Sequence, residues 1–238
     1  MSKNSAWKEF FDEVGGISYF TARFFREGLR PRYEWQELFR QCYIIGYKSL
    51  PLVGITGAIM GMVLTVQSRP TLAEFGAESW LPSMVAISVV REIGPVITAL
   101  ICAGKIGSSI GAELGSMKVT EQIDAMEVSG TNPFKYLVVT RVLAATLMLP
   151  VLVVLADALA LYSSYIGVNL KDVVSFKLYA NQVFDSLEYS DLLPAFAKSY
   201  FFGFAIGIVG CYKGFNSKKG TEGVGHSANS AVVVASLT

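Results

Sequence analysis

A chain of 238 residues that is 52% hydrophobic and 16% charged, with a mean hydropathy of +0.45, is too apolar for an ordinary soluble domain and falls in the membrane class. Its net charge of +1 marks no electrostatic partner, and no nucleic-acid ligand is expected. Cys42, Cys102 and Cys211 are scattered and His226 stands alone, so neither a disulfide framework nor a metal or catalytic cluster is suggested.

In chain order, residues 5–28 come first as an amphipathic helix lying in the membrane interface. Trp7, Phe10, Phe11, Val14, Ile17, Phe24 and Phe25 fall near one stripe, and the charged residues lie largely elsewhere. Gly15 and Gly16 offer a point at which this helix could divide. Apolar runs near the roughly 20 residues needed to cross hydrocarbon follow, and they predict spans at 43–68, 79–104, 135–161 and 194–213. The run from Ser49 to Ser68 is uncharged. That from Ser79 to Gly104 is interrupted only by Arg91 and Glu92, and that from Val142 to Leu170 only by Asp157. Glycines at Gly54, Gly57 and Gly61, and again at Gly203, Gly207 and Gly210, suit close helix packing in lipid. Asn132 and Pro133 read as a cap and a first-turn proline for the third span. Residues 227–238 are apolar but too short to cross, and they read as the start of a fifth span.

Lysine and arginine are unevenly shared between the two sides. Eight of twenty precede Ser49, four lie between Lys105 and Arg141, and three between Lys213 and Lys219. By the positive-inside rule the N-terminus, the 105–141 segment and the 213–226 loop are cytoplasmic, and loops 67–81 and 171–193 face outward.

Residues 91–135 are the most informative part of the chain. A charge in hydrocarbon costs on the order of 3 kcal/mol, so Arg91 and Glu92 need a reason to be there. Adjacent helical residues point about 100° apart, so at least one must reach a neighbouring helix or a watery cavity. A buried polar network and a substrate pathway both fit, and Asp157 is a candidate counter-charge for Arg91. Below them runs a ladder of small residues, Gly104, Gly107, Ser108, Gly111, Ala112 and Gly115. It is no phosphate loop, because Ile106 rather than Ser or Thr follows Lys105. Any ATP must therefore be bound by another subunit.

Residues 116–129, bounded by Gly115 and Gly130, read as one helix of about four turns, too short and too charged to span. Val119, Ile123 and Met126 share one face. Thr120, Asp124 and Glu127 share another, and Glu113 and Glu121 add acid. Anionic head groups would repel such a face, so a protein partner suits it better.

The stretch VVREIGPVITALICAGKIGSSIGAELGSMKVTEQIDAMEVSGTNPFKYLVVTRVLA resembles the signature of the MlaE/YrbE-type permeases. Weaker similarity runs from the N-terminal helix to GTEGVGHSANSAVV. These permeases are membrane subunits of ABC transporters that move phospholipids or other lipids together with MCE proteins. The resemblance implies an all-α membrane protein forming a single permease domain over 1–238, with about five transmembrane helices in the bacterial inner membrane. It implies a second copy of the chain, a partner ABC ATPase that binds the ATP and Mg, an MCE-domain protein on the periplasmic side and a small STAS-domain protein. It also implies that 116–129 is the coupling helix, with Glu113, Met117, Thr120, Glu121, Ile123, Asp124, Met126 and Glu127 meeting the ATPase. Arg91 and Glu92, with Leu64, Leu72, Phe75 and Asp157, would line the lipid pathway. Family members usually end in a complete fifth span, whereas the run from Ser227 reaches Thr238 after 12 residues.

On this reading the chain holds no cofactor and catalyses no bond chemistry. Two other classes compete with it. One is a membrane-embedded lipid-modifying enzyme with Glu92 or Asp157 as acid or base. The other is an ion-coupled secondary transporter using the same charges.

Overall fold

The computed structural model describes residues 3–29, 34–170 and 173–217, and every regular element among them is helical. Backbone polarity accounts for this, because in hydrocarbon each N–H and C=O must be satisfied within its own segment. Among the described residues four stretches are long and apolar enough to cross a membrane, namely Trp35–Glu74, Glu78–Val119, Phe134–Asn169 and Tyr189–Phe215. Each is longer than the apolar run that announces it, since polar residues continue the helix past the hydrocarbon. Residues 227–238, read as the start of a fifth span, and His226 lie outside the described residues.

The helices are α1 (Lys3–Gly28), α2 (Trp35–Glu74), α3 (Leu81–Ser88), α4 (Gly94–Cys102), α5 (Ser108–Val119), α6 (Gln122–Val128), α7 (Thr140–Asn169), α8 (Phe176–Ser186) and α9 (Tyr189–Phe215). Short π-helical turns at Val89–Ile93, Ala103–Gly107 and Phe134–Val139 join α3 to α4, α4 to α5, and the start of the third span to α7. Such turns insert one residue into the helical ladder and re-aim the side chains around it.

The chain divides into two compact units. The first holds residues up to Ile45, Ala103–Thr146 and the chain from Phe204, and the second holds Gly46–Cys102 and Leu147–Gly203. In the first, α1 is unbroken at Gly15 and Gly16. Gly16 instead serves packing: a side chain there would meet the Tyr212 ring, 2.9 Å from its Cζ, while Gly15 faces open space. The aromatic stripe is also redistributed. Phe20 and Phe24 are buried, whereas Phe11, Val14 and Phe25 are exposed. Phe20 meets Phe134 at 4.9 Å and Phe24 meets Phe204 at 5.5 Å between ring centroids, while an ion pair links Glu13 to Lys213. Arg23 stacks 4.3 Å over the Phe134 ring. The glycine ladder is a helix seam. A Cβ on Gly210 would lie 3.2 Å from the Gly107 carbonyl oxygen, and one on Gly214 would lie 2.9 Å from that of Gly111. Small residues here let α9 approach backbone to backbone.

In the second unit α2 and α7 pack the same way. A Cβ on Gly57 would stand 2.7 Å from the Ala156 carbonyl oxygen, and one on Gly61 would run into the Ala160 backbone. Hydrogen bonds join the two helices, Thr65 Oγ1 donating to Ser164 Oγ and Ser163 Oγ to the Ala58 carbonyl, both at 2.6 Å. Leu81, Val85, Ala86 and Val89 form a core with Val168, Tyr179 and Val183, against which Leu64 and Leu72 pack. Ser175 caps α8 by accepting from the Leu178 amide.

Candidate functional site

Two groups of charged residues are built into this helical frame, one in each unit. In the second unit the π-turn Val89–Ile93 carries Arg91 and Glu92, and the Gly94 amide closes it by donating to the Val89 carbonyl. Both side chains are 58% exposed, and both pair with α9. Arg91 Nη1 lies 3.6 Å from Asp191 Oδ1, and Lys198 Nζ lies 2.7 Å from Glu92 Oε1. Lys198 Nζ also donates to the Arg91 carbonyl at 3.4 Å. Asp191 sits in the first turn of α9, where the helix dipole favours an anion.

The expected pairing of Arg91 with Asp157 is therefore not made. Asp157 is 9% exposed and its Oδ1 has no hydrogen-bond partner. Its carboxyl occupies the space that a side chain on Gly94 would need. Arg91 turns instead toward Asp191, which stands at the polar entry to α9. Lys198 and Asp191 carry the same signal in the sequence as Arg91 and Glu92, charges within or bordering an apolar run, and were not among the candidate residues. Leu64 and Leu72 are half-buried in the core of the unit, and Phe75, just past α2, is 79% exposed.

In the first unit, 116–129 is not one helix. Residues 108–119 continue as α5, the backbone breaks at Thr120 and Glu121, and α6 begins at Gln122. Glu121 adopts φ 59°, a left-handed conformation that costs an L-residue roughly 1–2 kcal/mol. The physical reason lies in Ile123, which is 1% exposed and pinned into the unit, so the chain must turn to bury it. Gly130, at φ 78°, ends α6, with its amide donating to the Glu127 carbonyl and that of Thr131 to the Met126 carbonyl. Asn132 Oδ1 then accepts from the Lys135 amide at 3.2 Å and caps the third span.

Thr120, Glu121, Asp124 and Glu127 are exposed, and Met117 and Met126 are half-buried beside them. Lys118 Nζ bonds Asp124 Oδ1 at 2.8 Å. The outward surface is thus acidic, with Val128 91% exposed on it and a methionine margin, while Ile123 serves as its anchor. Behind it Glu113 accepts from Arg141 Nη2 at 2.8 Å. Arg141 is 2% exposed and also donates to the Leu137 carbonyl. Arg141, which closes the cytoplasmic 105–141 segment and falls within the predicted 135–161 span, stands inside an apolar run as Arg91 does. Among the described residues no cluster of three or more His, Cys, Asp or Glu is placed to hold a metal ion.

The family model described as Permease MlaE matches residues 38–238. A probable ABC transporter permease protein of Rickettsia felis is 40% identical over 230 residues, which is 96% of this chain and 88% of that protein. A probable ABC transporter permease protein of Synechocystis is 35% identical over 234 residues, covering 95% and 86%. The intermembrane phospholipid transport system permease protein MlaE of Haemophilus influenzae is 34% identical over 233 residues, covering 96% and 88%.

Proposed function

The chain belongs to the MlaE permease family and is a multi-pass membrane protein, and from that premise we propose that it is the permease subunit of an ABC transporter for phospholipid. It passes lipid between the bacterial inner membrane and a periplasmic MCE-domain protein. A separate ATPase binds and hydrolyses the ATP with its Mg, and a second copy of this chain completes the membrane part. A STAS-domain protein accompanies the ATPase. The N-terminus, the 116–128 surface and the residues after α9 face the cytoplasm, in keeping with the lysine and arginine distribution.

The observation that carries this reading is the pair of ion pairs on the Val89–Ile93 turn. Arg91 and Glu92 keep more than half their surface open while held by Asp191 and Lys198 inside apolar spans. An amphiphile needs such a place, where fixed charge meets its head group beside apolar surface for its acyl chains. Leu64, Leu72 and Phe75 supply apolar surface to that pathway, and buried Asp157 supports the turn behind Gly94. The chain itself makes and breaks no bonds. It supplies a path, and the acidic surface of Glu121, Asp124 and Glu127 with Met117 and Met126 is where the ATPase pushes.

Purification of the tagged chain from membranes, with mass spectrometry of both protein and lipid, tests the reading. The expected result is an ATPase subunit and phospholipid in the same particle, with ATP-dependent lipid transfer on reconstitution. Lipid turnover or transport by the isolated chain would overturn it in favour of a lipid-modifying enzyme or a secondary transporter.

A further inference from the structure

A second polar site is built entirely within the first unit, from residues outside the proposed lipid pathway. A cavity of about 400 Å3 opens where the start of α2, the end of α5, the first residue of α6 and the beginning of the third span converge. Glu37, Arg40, Glu113, Ser116, Gln122 and Arg141 line it. Two carboxylates and two guanidinium groups make it neutral in sum, but their hydrogen bonding is unequal. Glu37, 6% exposed, accepts from Gln41 Nε2 at 2.7 Å, from Arg40 Nη1 at 3.3 Å and weakly from the Tyr136 hydroxyl at 3.5 Å. Glu113 accepts from Arg141. Both anions are therefore already served.

The cations are served only in part, Arg141 by Glu113 and the Leu137 carbonyl and Arg40 by Glu37. Arg141 is 98% buried (2% exposed), yet its Nε has no hydrogen-bond partner. A buried guanidinium carries five donors, and leaving one unmet costs about as much as losing a hydrogen bond. Arg40 reaches Glu37 through one nitrogen and leaves 67% of its side chain exposed at the mouth. Such a cavity calls for an anion with more than one oxygen, and arginine forks fit phosphate geometry best.

Depth decides which phosphate. On α2, Trp35, Phe39 and Tyr43 are exposed and repeat every fourth residue, an aromatic stripe of the kind that sits at head-group level. Glu37 and Arg40 occupy the same turns. The anion most abundant at that depth is the phosphodiester of a lipid.

We infer that this cavity binds the phosphodiester head group of a membrane lipid, through Arg40 and Arg141 with Ser116 and Gln122 as neutral partners. The site shares no residue with the lipid pathway around Arg91 and Glu92, so the two can fail separately.

A photoactivatable phenylalanine analogue in place of Tyr136, a half-buried cavity-lining residue apart from the surface assigned to the ATPase, tests this in the intact membrane complex. A second such residue at Leu64 serves as the control. The probes are radiolabelled phosphatidylethanolamine and diacylglycerol, with soluble glycerophosphate as competitor. Phosphatidylethanolamine should label position 136, and Arg40→Gln, a change at an exposed side chain that leaves the fold intact, should cut that label roughly tenfold or more. Labelling at position 64 should not change with Arg40→Gln. Equal labelling of position 136 by diacylglycerol, or indifference to Arg40→Gln, would overturn the site. So would capture of a partner polypeptide in place of lipid, and competition by millimolar glycerophosphate would overturn the lipid source. Absence of label at position 64 alone counts against the transport pathway and leaves this site standing.

Discussion

Gly15 and Gly57 are both helical glycines, and their surroundings give them opposite meanings. A methyl on Gly57 must push into the Ala156 carbonyl and Cα, at 2.7 and 3.0 Å, and backbone cannot step aside as a side chain can. Overpacking of that kind costs about 1–3 kcal/mol. A methyl on Gly15 meets nothing within 4 Å, and alanine is about 1 kcal/mol better than glycine inside a helix. Gly57→Ala should therefore lower the thermal midpoint of the detergent-purified protein by several degrees, and Gly15→Ala should hold or raise it. Equal midpoints for the two variants would refute the close α2–α7 approach. The glycines themselves were plain in the sequence, but which of them faced a neighbour was not, because spacing fixes a helix face and not what covers it.

At the scale of an element, the segment from Ser116 to Val128 shows how a single buried residue reshapes a helix. Charge pattern predicts an acidic face, and Thr120, Asp124 and Glu127 are exposed, together with Glu121, Gln122, Ala125 and Val128. The pattern did not reveal the break at Glu121, which follows from the demand to bury Ile123. For partner docking this break matters, since it presents Glu121 and Asp124 from a fixed turn rather than from a helix free to roll. The Lys118–Asp124 pair is partly exposed and contributes at most about 1 kcal/mol. Glu121→Lys with Asp124→Lys should thus leave folding intact yet weaken association with the ATPase by roughly tenfold or more, as expected for reversed charge at an interface. Pull-down and thermal scans read the two effects separately, and unchanged assembly would remove the coupling role from this surface.

For the molecule as a whole, the decisive arrangement is the tie between the Val89–Ile93 turn and α9. If Glu92 acts while held by Lys198, then Glu92→Lys and Lys198→Glu should each impair lipid transfer in reconstituted vesicles. Combining them should restore part of it, because the 2.7 Å pair is remade with its charges exchanged. A double variant no better than either single one, in a complex that still assembles, would show that the pair is not what matters. By itself the sequence determined the membrane class, the places of the four crossing-length helices found among the described residues, the family signature and the presence of charges that lipid would not tolerate without cause. Those features are local, since run length, helical period and residue order are properties of neighbours in the chain. Only the tertiary structure decided that Arg91 meets Asp191 and not Asp157, that Lys198 holds Glu92, and that Arg141 lies buried beside Glu113. The π-turn sets which way Arg91 and Glu92 point, and no residue pattern alone dictates where a helix takes up its extra residue. A charge in an apolar run announces that it needs a partner, but helix packing chooses it, 28 residues away for Arg141 and about a hundred away for Arg91 and Glu92.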